Sequence, residues 1–306
     1  MKELTVRSRT PGQPVADRVK PDLKNGGPRG ENHVFILIHG YQNSEDQARV
    51  SYHRFHASLR TALGFHDPKR LGSFWGFHWP GNHRRYLTSV LTYPARVPEA
   101  LLSAERLAEY ITNMEADQEV VLVAHSLGCR IALEVVKRVR LAMEPGEYSG
   151  GKIRMVFLLA AAVPVNLCES EDAYLKTIPD CEEYAFYSSR DKALGLAFSF
   201  GEQMYSGFWA TAVGRTGEPQ DDRWTDRRPT GLNHGDYWTA DKIARLVVEF
   251  LGYKPVVSPT ERLLLCAEDV EQRDGAVLPE LALPERPLMW RVCKHAAVDR
   301  PSSAED

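Results

Sequence analysis

Residues 119–128 read Glu119-Val120-Val121-Leu122-Val123-Ala124-His125-Ser126-Leu127-Gly128. A polar residue opens a continuous apolar, largely β-branched run, which is the pattern of a short strand buried on both faces. From Leu127 the period changes. Ile131, Val135 and Val139 recur at helical spacing, and Arg130, Glu134, Lys137 and Arg138 fall on the other side. One serine, Ser126, stands at the junction, with small residues at minus two (Ala124) and plus two (Gly128). Strand, tight turn and helix around such a serine form the nucleophile-elbow pattern G-x-S-x-G, here A-x-S-x-G. Small neighbours are needed because the two backbones come close at the turn. The competing reading is a chance serine in an ordinary βα turn, and the rest of the chain must separate the two.

Outward from this run, strand-like and helix-like segments alternate. Val34 to Ile38 reads as a buried strand, and Ser44 as the N-cap of a helix reaching about Leu63, with Glu45 and Asp46 in its first turn. Gly72 to Trp79 is an aromatic-rich strand closed by Pro80-Gly81. Pro98 is placed to begin a helix over Glu99 to Met114. Ile153 to Val163 and Glu183 to Ser188 are further strands, and Asp236 to Leu251 a last amphipathic helix. This alternation predicts an α/β fold, a mostly parallel, doubly wound sheet with helices on both faces. Ligands bind at the carboxyl ends of the strands in such sheets. His39, Trp79, Ser126, Pro164 and Asp191 all lie at or just past strand ends, so they are expected along one rim.

Composition narrows the function classes. Of the 306 residues 43% are hydrophobic, enough for a substantial core, and the net charge is only −3. No electrostatic footprint for nucleic acid or acidic membranes follows from that balance. The longest apolar run, Met155 to Val163, is nine residues, against the roughly twenty that a bilayer span requires. The first twenty residues contain no apolar signal core, and residues 1–30 read as a mobile or surface-clinging arm. Five scattered cysteines without metal-ligand spacing argue for reduced thiols and a cytoplasmic protein.

A serine hydroxyl needs a base to take its proton, and the base needs a third group to hold its tautomer. In this fold type the order along the chain is serine, acid, histidine. Asp191 is the first carboxylate after the strand Glu183 to Ser188, although an ordinary turn aspartate would look the same. Glu169, Glu171 and Asp172 are rivals that follow the preceding strand. Downstream of Ser126 stand two histidines, His234 and His295. His234, in the loop before the last helix, is the better placed. The oxyanion requires backbone donors aimed at the developing charge. Leu127 N–H, just after the serine, is one. Tyr41 N–H in the loop after the first clear strand is the second, with Gln42 as the alternative. No metal or organic cofactor is needed for this chemistry.

With HGYQNSEDQA, FHWPG, VLVAHSLGCRIAL, YSSRDKAL and NHGDYW in this order, the chain resembles the α/β-hydrolase superfamily. Within it, the chain looks like a group of little-characterised bacterial hydrolases that carry an HGYNN-type loop and an AHS[ML]G elbow. The resemblance covers roughly Val34 to Leu251 and implies the α/β-hydrolase fold and an ester-like substrate. Its serine, acid and histidine motifs fall on Ser126, Asp191 and His234. Two departures touch the pocket: Gln42 precedes Asn43 where the group often has paired asparagines, and Gly-Asp-Tyr follows the histidine.

The expected organisation is therefore an arm (1–30), a hydrolase domain (31–253) and a C-terminal extension of open role (254–306). Residues 192–233, between acid and histidine, form a long connection and a candidate lid. Its aromatic first half, with Phe198, Phe200, Tyr205, Phe208 and Trp209, is expected either to cover or line an acyl or alcohol pocket or to pack as a small helix against the sheet. His39, Trp79 and His125 are further candidates for the lining, with a structural role in the loop as the other reading of His39 and His125. The leading expectation is a serine carboxylester hydrolase acting on a small-molecule or lipid-like ester. A lipase or thioesterase with the same triad and a non-catalytic binding or scaffold protein on the same fold are the alternatives.

Overall fold

The structure is a computed structural model. It describes residues 1–8, 10, 13–22, 33–64, 71–82, 89–143, 148–169, 174, 181–220 and 223–255. The chain divides into two units, Met1–Val256 and Val257–Asp306. The second unit, with nearly all of the expected C-terminal extension and His295, lies outside the described residues, as do Glu171 and Asp172.

The elements run β1 (Lys2–Arg7), β2 (Val15–Pro21), β3 (His33–Ile38), α1 (Glu45–Leu63), β4 (Ser73–His78), α2 (Ser89–Thr112), β5 (Glu119–His125) and α3 (Leu127–Met143). They continue with β6 (Lys152–Leu159), α4 (Val165–Glu169), β7 (Glu182–Tyr187), a π-helical turn (Ala193–Ala197), α5 (Phe198–Ser206), α6 (Val213–Thr216), β8 (Asp226–Pro229) and α7 (Asp241–Phe250). The eight strands form one sheet in the order β2-β1-β4-β3-β5-β6-β7-β8. Only β1 and β2 pair antiparallel. The apolar run read first from the sequence is the central strand: Val120 pairs with Val34 on one side and Ile153 on the other, and Ala124 with Ile38 and Leu158. Val120, Leu122, Val123 and Ala124 are fully buried, because helices cover both faces.

The chain steps from β3 outward to β4 and then back across β3 to β5. With right-handed crossovers, that reversal puts α1 and α2 on opposite faces. Accordingly α1 packs with α7, and α2 with α3 and α5. The reversal also makes the carboxyl ends of β3 and β5 diverge, opening a crevice there. The loops that leave those two ends begin at His39 and Ser126.

Three local expectations change. Residues 1–22 are not a loose arm. β1 lies parallel to β4 with Leu4 beside Phe77, and Leu4 and Val6 are fully buried. The alternation of Leu4 with Val6 is a strand signal that the surrounding charges and prolines obscure. Helix α2 starts at Ser89 and carries Pro94 and Pro98 inside it, because burial of Tyr93, Val97, Ala100, Ala104 and Leu107 against the sheet outweighs local propensity. The last helix begins at Asp241, five residues later than its period suggests. Asp236 instead closes a turn, its Oδ2 accepting from Asn233 N–H and Nδ2, and its carbonyl from Thr239 and Ala240 N–H. By contrast Ser44 caps α1 as expected, in a reciprocal box with Gln47. Among the described residues no helix is long and apolar enough to cross a membrane.

Candidate active site

The elbow is fixed by backbone geometry. Ser126 has φ +56°, a left-handed conformation that a non-glycine residue adopts at a cost. Its N–H donates to Leu159 O at 3.0 Å, and its carbonyl accepts from Cys129 N–H at 3.0 Å and Ala162 N–H at 3.1 Å. Small neighbours are obligatory. A Cβ on Gly128 would stand 2.6 Å from His39 O, and one on Gly40 would stand 2.7 Å from Ser126 Cβ.

Three side chains from three strand ends converge at this point. His234 Nε2 lies 2.9 Å from Ser126 Oγ, and His234 Nδ1 lies 2.7 Å from Asp191 Oδ2. In the neutral imidazole Nδ1–H donates to the carboxylate, which leaves Nε2 to accept the serine O–H. Asp191 is fully buried after β7. Its second oxygen, Oδ1, accepts Leu194 N–H at 3.0 Å, and Arg215 Nη1 donates to its carbonyl at 2.9 Å. Glu169, the described rival, ends α4 elsewhere and takes no part in this relay.

His125 supports the relay from below. Of its two readings, structural or pocket-lining, the second finds no support in the residues that line the cavity. It is buried, its ring centroid is 4.9 Å from that of His234, and its Nε2–H donates to His234 O at 2.7 Å. Burial, with a smaller push from His234, lowers its pKa to about 3, so it stays a neutral donor holding the backbone of the histidine loop. Replacing it with phenylalanine should lower kcat by about 10- to 100-fold through misplacement of His234, with KM little changed. Steady-state kinetics would check this, and an unchanged kcat would remove the positioning role.

His39 and Trp79 are likewise under the site and not in the cavity wall. Both are fully buried and stack at 5.4 Å. His39 Nδ1–H donates to Gly40 O, its Nε2 accepts from Trp79 N–H, and Trp79 Nε1–H donates to His39 O. Together they brace the loop after β3 against the end of β4. Gln42 N–H donates to Gly81 O at 2.7 Å. That bond occupies the Gln42 N–H, while Leu127 N–H is a first-turn donor at the N-terminus of α3. Gln42 contributes its side chain instead: it lines the cavity, and its buried Nε2 has no hydrogen-bond partner among the described residues.

Burial also lowers the pKa of His39 to about 3. In the unfolded chain His39 and His125 would titrate near their ordinary 6.5. Between about pH 6.5 and 3 the unfolded state therefore binds protons that the folded state refuses, and stability falls as pH falls. The slope should approach about 1.4 kcal/mol per pH unit for each histidine in that window. Urea midpoints measured from pH 7 to 4 would test it, and a flat profile would contradict it.

The cavity holds about 210 Å³ and opens over Ser126 and His234. Tyr41, Gln42 and Tyr93 line it from the first half of the chain, and Ala162, Leu194 and Phe198 from the second, joined by Ala193 and Ala197. Tyr93 lies far from any motif, so the sequence carried no signal for it. Phe208 and Trp209 do not line the cavity. They are 74% and 68% exposed, because the left-handed Gly207 turns the chain outward after α5. The wall itself is built in. Glu202 of α5 forms a buried ion pair with Arg130 of α3, Arg130 lies over the Tyr205 ring, and Ser199 Oγ donates to Ala210 O. No group of three or more His, Cys, Asp or Glu side chains among the described residues is arranged to hold a metal ion.

The model of a family described as alpha/beta hydrolase of unknown function (DUF900) matches residues 19–212. That span holds the loop after β3, the elbow and Asp191. Among curated proteins none matches. Solved structures match at low identity. A protein from Xanthomonas campestris pv. campestris assigned to the alpha/beta hydrolase superfamily is 15% identical, with 71% of this chain and 98% of that chain covered and a TM-score of 0.37. RedJ, a thioesterase of the prodiginine biosynthetic pathway in Streptomyces coelicolor, is 16% identical over 74% and 87% at 0.39. The carboxylesterase Cest-2923 from Lactobacillus plantarum WCFS1 is 12% identical over 72% and 84% at 0.33.

Proposed function

The chain belongs to the α/β-hydrolase family of unknown function DUF900, which leaves its reaction open, and we propose that it is a serine hydrolase cleaving a carboxylic ester through an acyl-enzyme. One observation supports this above all, the relay Ser126 Oγ to His234 Nε2 at 2.9 Å and His234 Nδ1 to Asp191 Oδ2 at 2.7 Å. Ser126 Oγ attacks the ester carbonyl while His234 Nε2 takes its proton. The carbonyl oxygen becomes an oxyanion facing the amides of Leu127 and Tyr41. Collapse of the tetrahedral intermediate breaks the bond to the alcohol oxygen, which leaves with the proton from His234. Water, deprotonated by the same imidazole, then attacks the acyl-serine, and the acid is released. Asp191 keeps its charge throughout and stabilises the imidazolium. The side-chain amide of Gln42, with Nε2 unpartnered, supplies a donor for a polar atom of the substrate.

A cavity of about 210 Å³ with mostly apolar walls favours a short or single-chain acyl group beside the scissile bond. A thioester fits the same walls, since its sulfur needs no hydrogen bond, and this is the second reading. A fluorophosphonate probe followed by a panel of esters, thioesters and amides tests both. Labelling confined to Ser126, with ester turnover, is the expected result. Absence of labelling would turn the reading toward a non-catalytic binding protein, and faster thioester turnover would favour the second.

A further inference from the structure

The helical segment that forms the cavity wall has a second face that the relay does not use. Ala193, Leu194, Ala197 and Phe198 point to the cavity. On the other side Leu196 is 79% exposed, Phe200 42% and Met204 46%. These three recur every fourth residue and form one stripe. Beyond Gly207 the stripe continues in Phe208 and Trp209, and the Phe200 and Trp209 rings lie 6.3 Å apart, so the patch is contiguous. Five large apolar side chains in one exposed patch are rare on a surface that meets only water.

Within the segment itself the exposed charges have one sign. Between Ser189 and Ala210 the two acids, Asp191 and Glu202, are fully buried, while the two bases, Arg190 and Lys192, are exposed. Lys192 lies four residues before Leu196, at the foot of the same stripe. The solvent side of this segment is therefore apolar and cationic, with no exposed carboxylate of its own. The whole chain's net charge of −3 gives no footprint for acidic membranes, but this local pairing complements an anionic lipid surface: apolar side chains enter the acyl boundary while the bases stay among the headgroups. The buried Arg130–Glu202 ion pair and the contact of Gly201 with Tyr93 hold the segment in place, so the face is presented ready-made.

We propose that Leu196, Phe200, Met204, Phe208 and Trp209, with Arg190 and Lys192, dock the protein on an anionic lipid surface. The cavity on the reverse of the same segment then receives an ester whose reacting end enters while the rest of its chain stays in the lipid. The docking stands on the patch alone, and the choice of substrate rests on the esterase reading above.

The test uses full-length Ser126→Ala protein, so that binding is read without turnover. It should float with phosphatidylcholine vesicles containing phosphatidylglycerol, and less with phosphatidylcholine alone or in high salt. Adding Phe208→Ser and Trp209→Ser should weaken the partition at least about tenfold. In the Ser126 protein the same two changes should slow cleavage of a vesicle-borne ester and leave a short soluble ester unaffected, which also verifies folding. Failure to float, or flotation that the two serines do not alter, would overturn the proposal. So would a dimer in sedimentation that the two serines dissociate, since the face would then belong to a second copy. Failure of the esterase reading looks different: no probe labelling at Ser126, whatever the vesicles report.

Discussion

Ser126→Ala should reduce ester turnover by about 10⁵- to 10⁶-fold, with the fold and substrate binding retained. In the proposed reaction the hydroxyl oxygen is the atom that forms the acyl bond, and the elbow's other functions are carried by the backbone. The Ser126 N–H and carbonyl bonds to Leu159, Cys129 and Ala162 do not involve the side chain. Alanine tolerates φ +56° about as well as serine. The variant should therefore match the parent in circular dichroism and melting while losing fluorophosphonate labelling. Residual turnover should come from the oxyanion donors acting on water. Turnover within about tenfold of the parent would mean that another group is the nucleophile.

Asp191→Asn should cost about 10⁴-fold in kcat, far more than the loss of one hydrogen bond explains. The amide is the same size and fits the buried position. Its NH₂, however, can donate to His234 Nδ1 and so hold the tautomer in which Nε2 carries the proton. That imidazole cannot accept from Ser126 Oγ. Asparagine Oδ1 can still accept Leu194 N–H, the bond that now measures 3.0 Å, so the turn should survive. A pH–rate profile together with kcat for the parent and variant would check this. A loss under tenfold would send the search for the acid elsewhere.

Much of the proposed site could be read from the chain because Ser126 and Asp191 follow strands marked by a change of period, and His234 lies in the loop before the last amphipathic helix. The run Glu119 to Ala124 is apolar without alternation, so it had to be central, and a serine after it had to stand on the rim. Side-chain direction is a different matter. His39, Trp79 and His125 are near the rim in sequence, yet all three point under it, because the chain turns sharply at Gly40 and Ser126. Aromatic content also misled at Phe208 and Trp209, where an αL glycine turns them out to solvent. Strand β8, Asp226–Pro229, has four residues, none of them strongly apolar, and pairs on one side only. Such an edge strand leaves no period to detect. The buried hairpin of β1 and β2 was hidden for the opposite reason: its apolar alternation is real but is diluted by charge.

The Arg130–Glu202 pair sets a limit on how this protein can diverge. A substitution at either position leaves the other charge buried alone, at a cost of about 3–5 kcal/mol. Typical domains have only about 5–15 kcal/mol in hand. The two positions can therefore change only together, and helix α5 cannot drift from helix α3 by single steps. Residues that line the cavity but carry no such tie, such as Ala162, Ala193 and Ala197, remain open to mutation one at a time. Descendants of this chain would then acquire new substrates by resizing a few alanines, and would inherit the frame of the wall as a block.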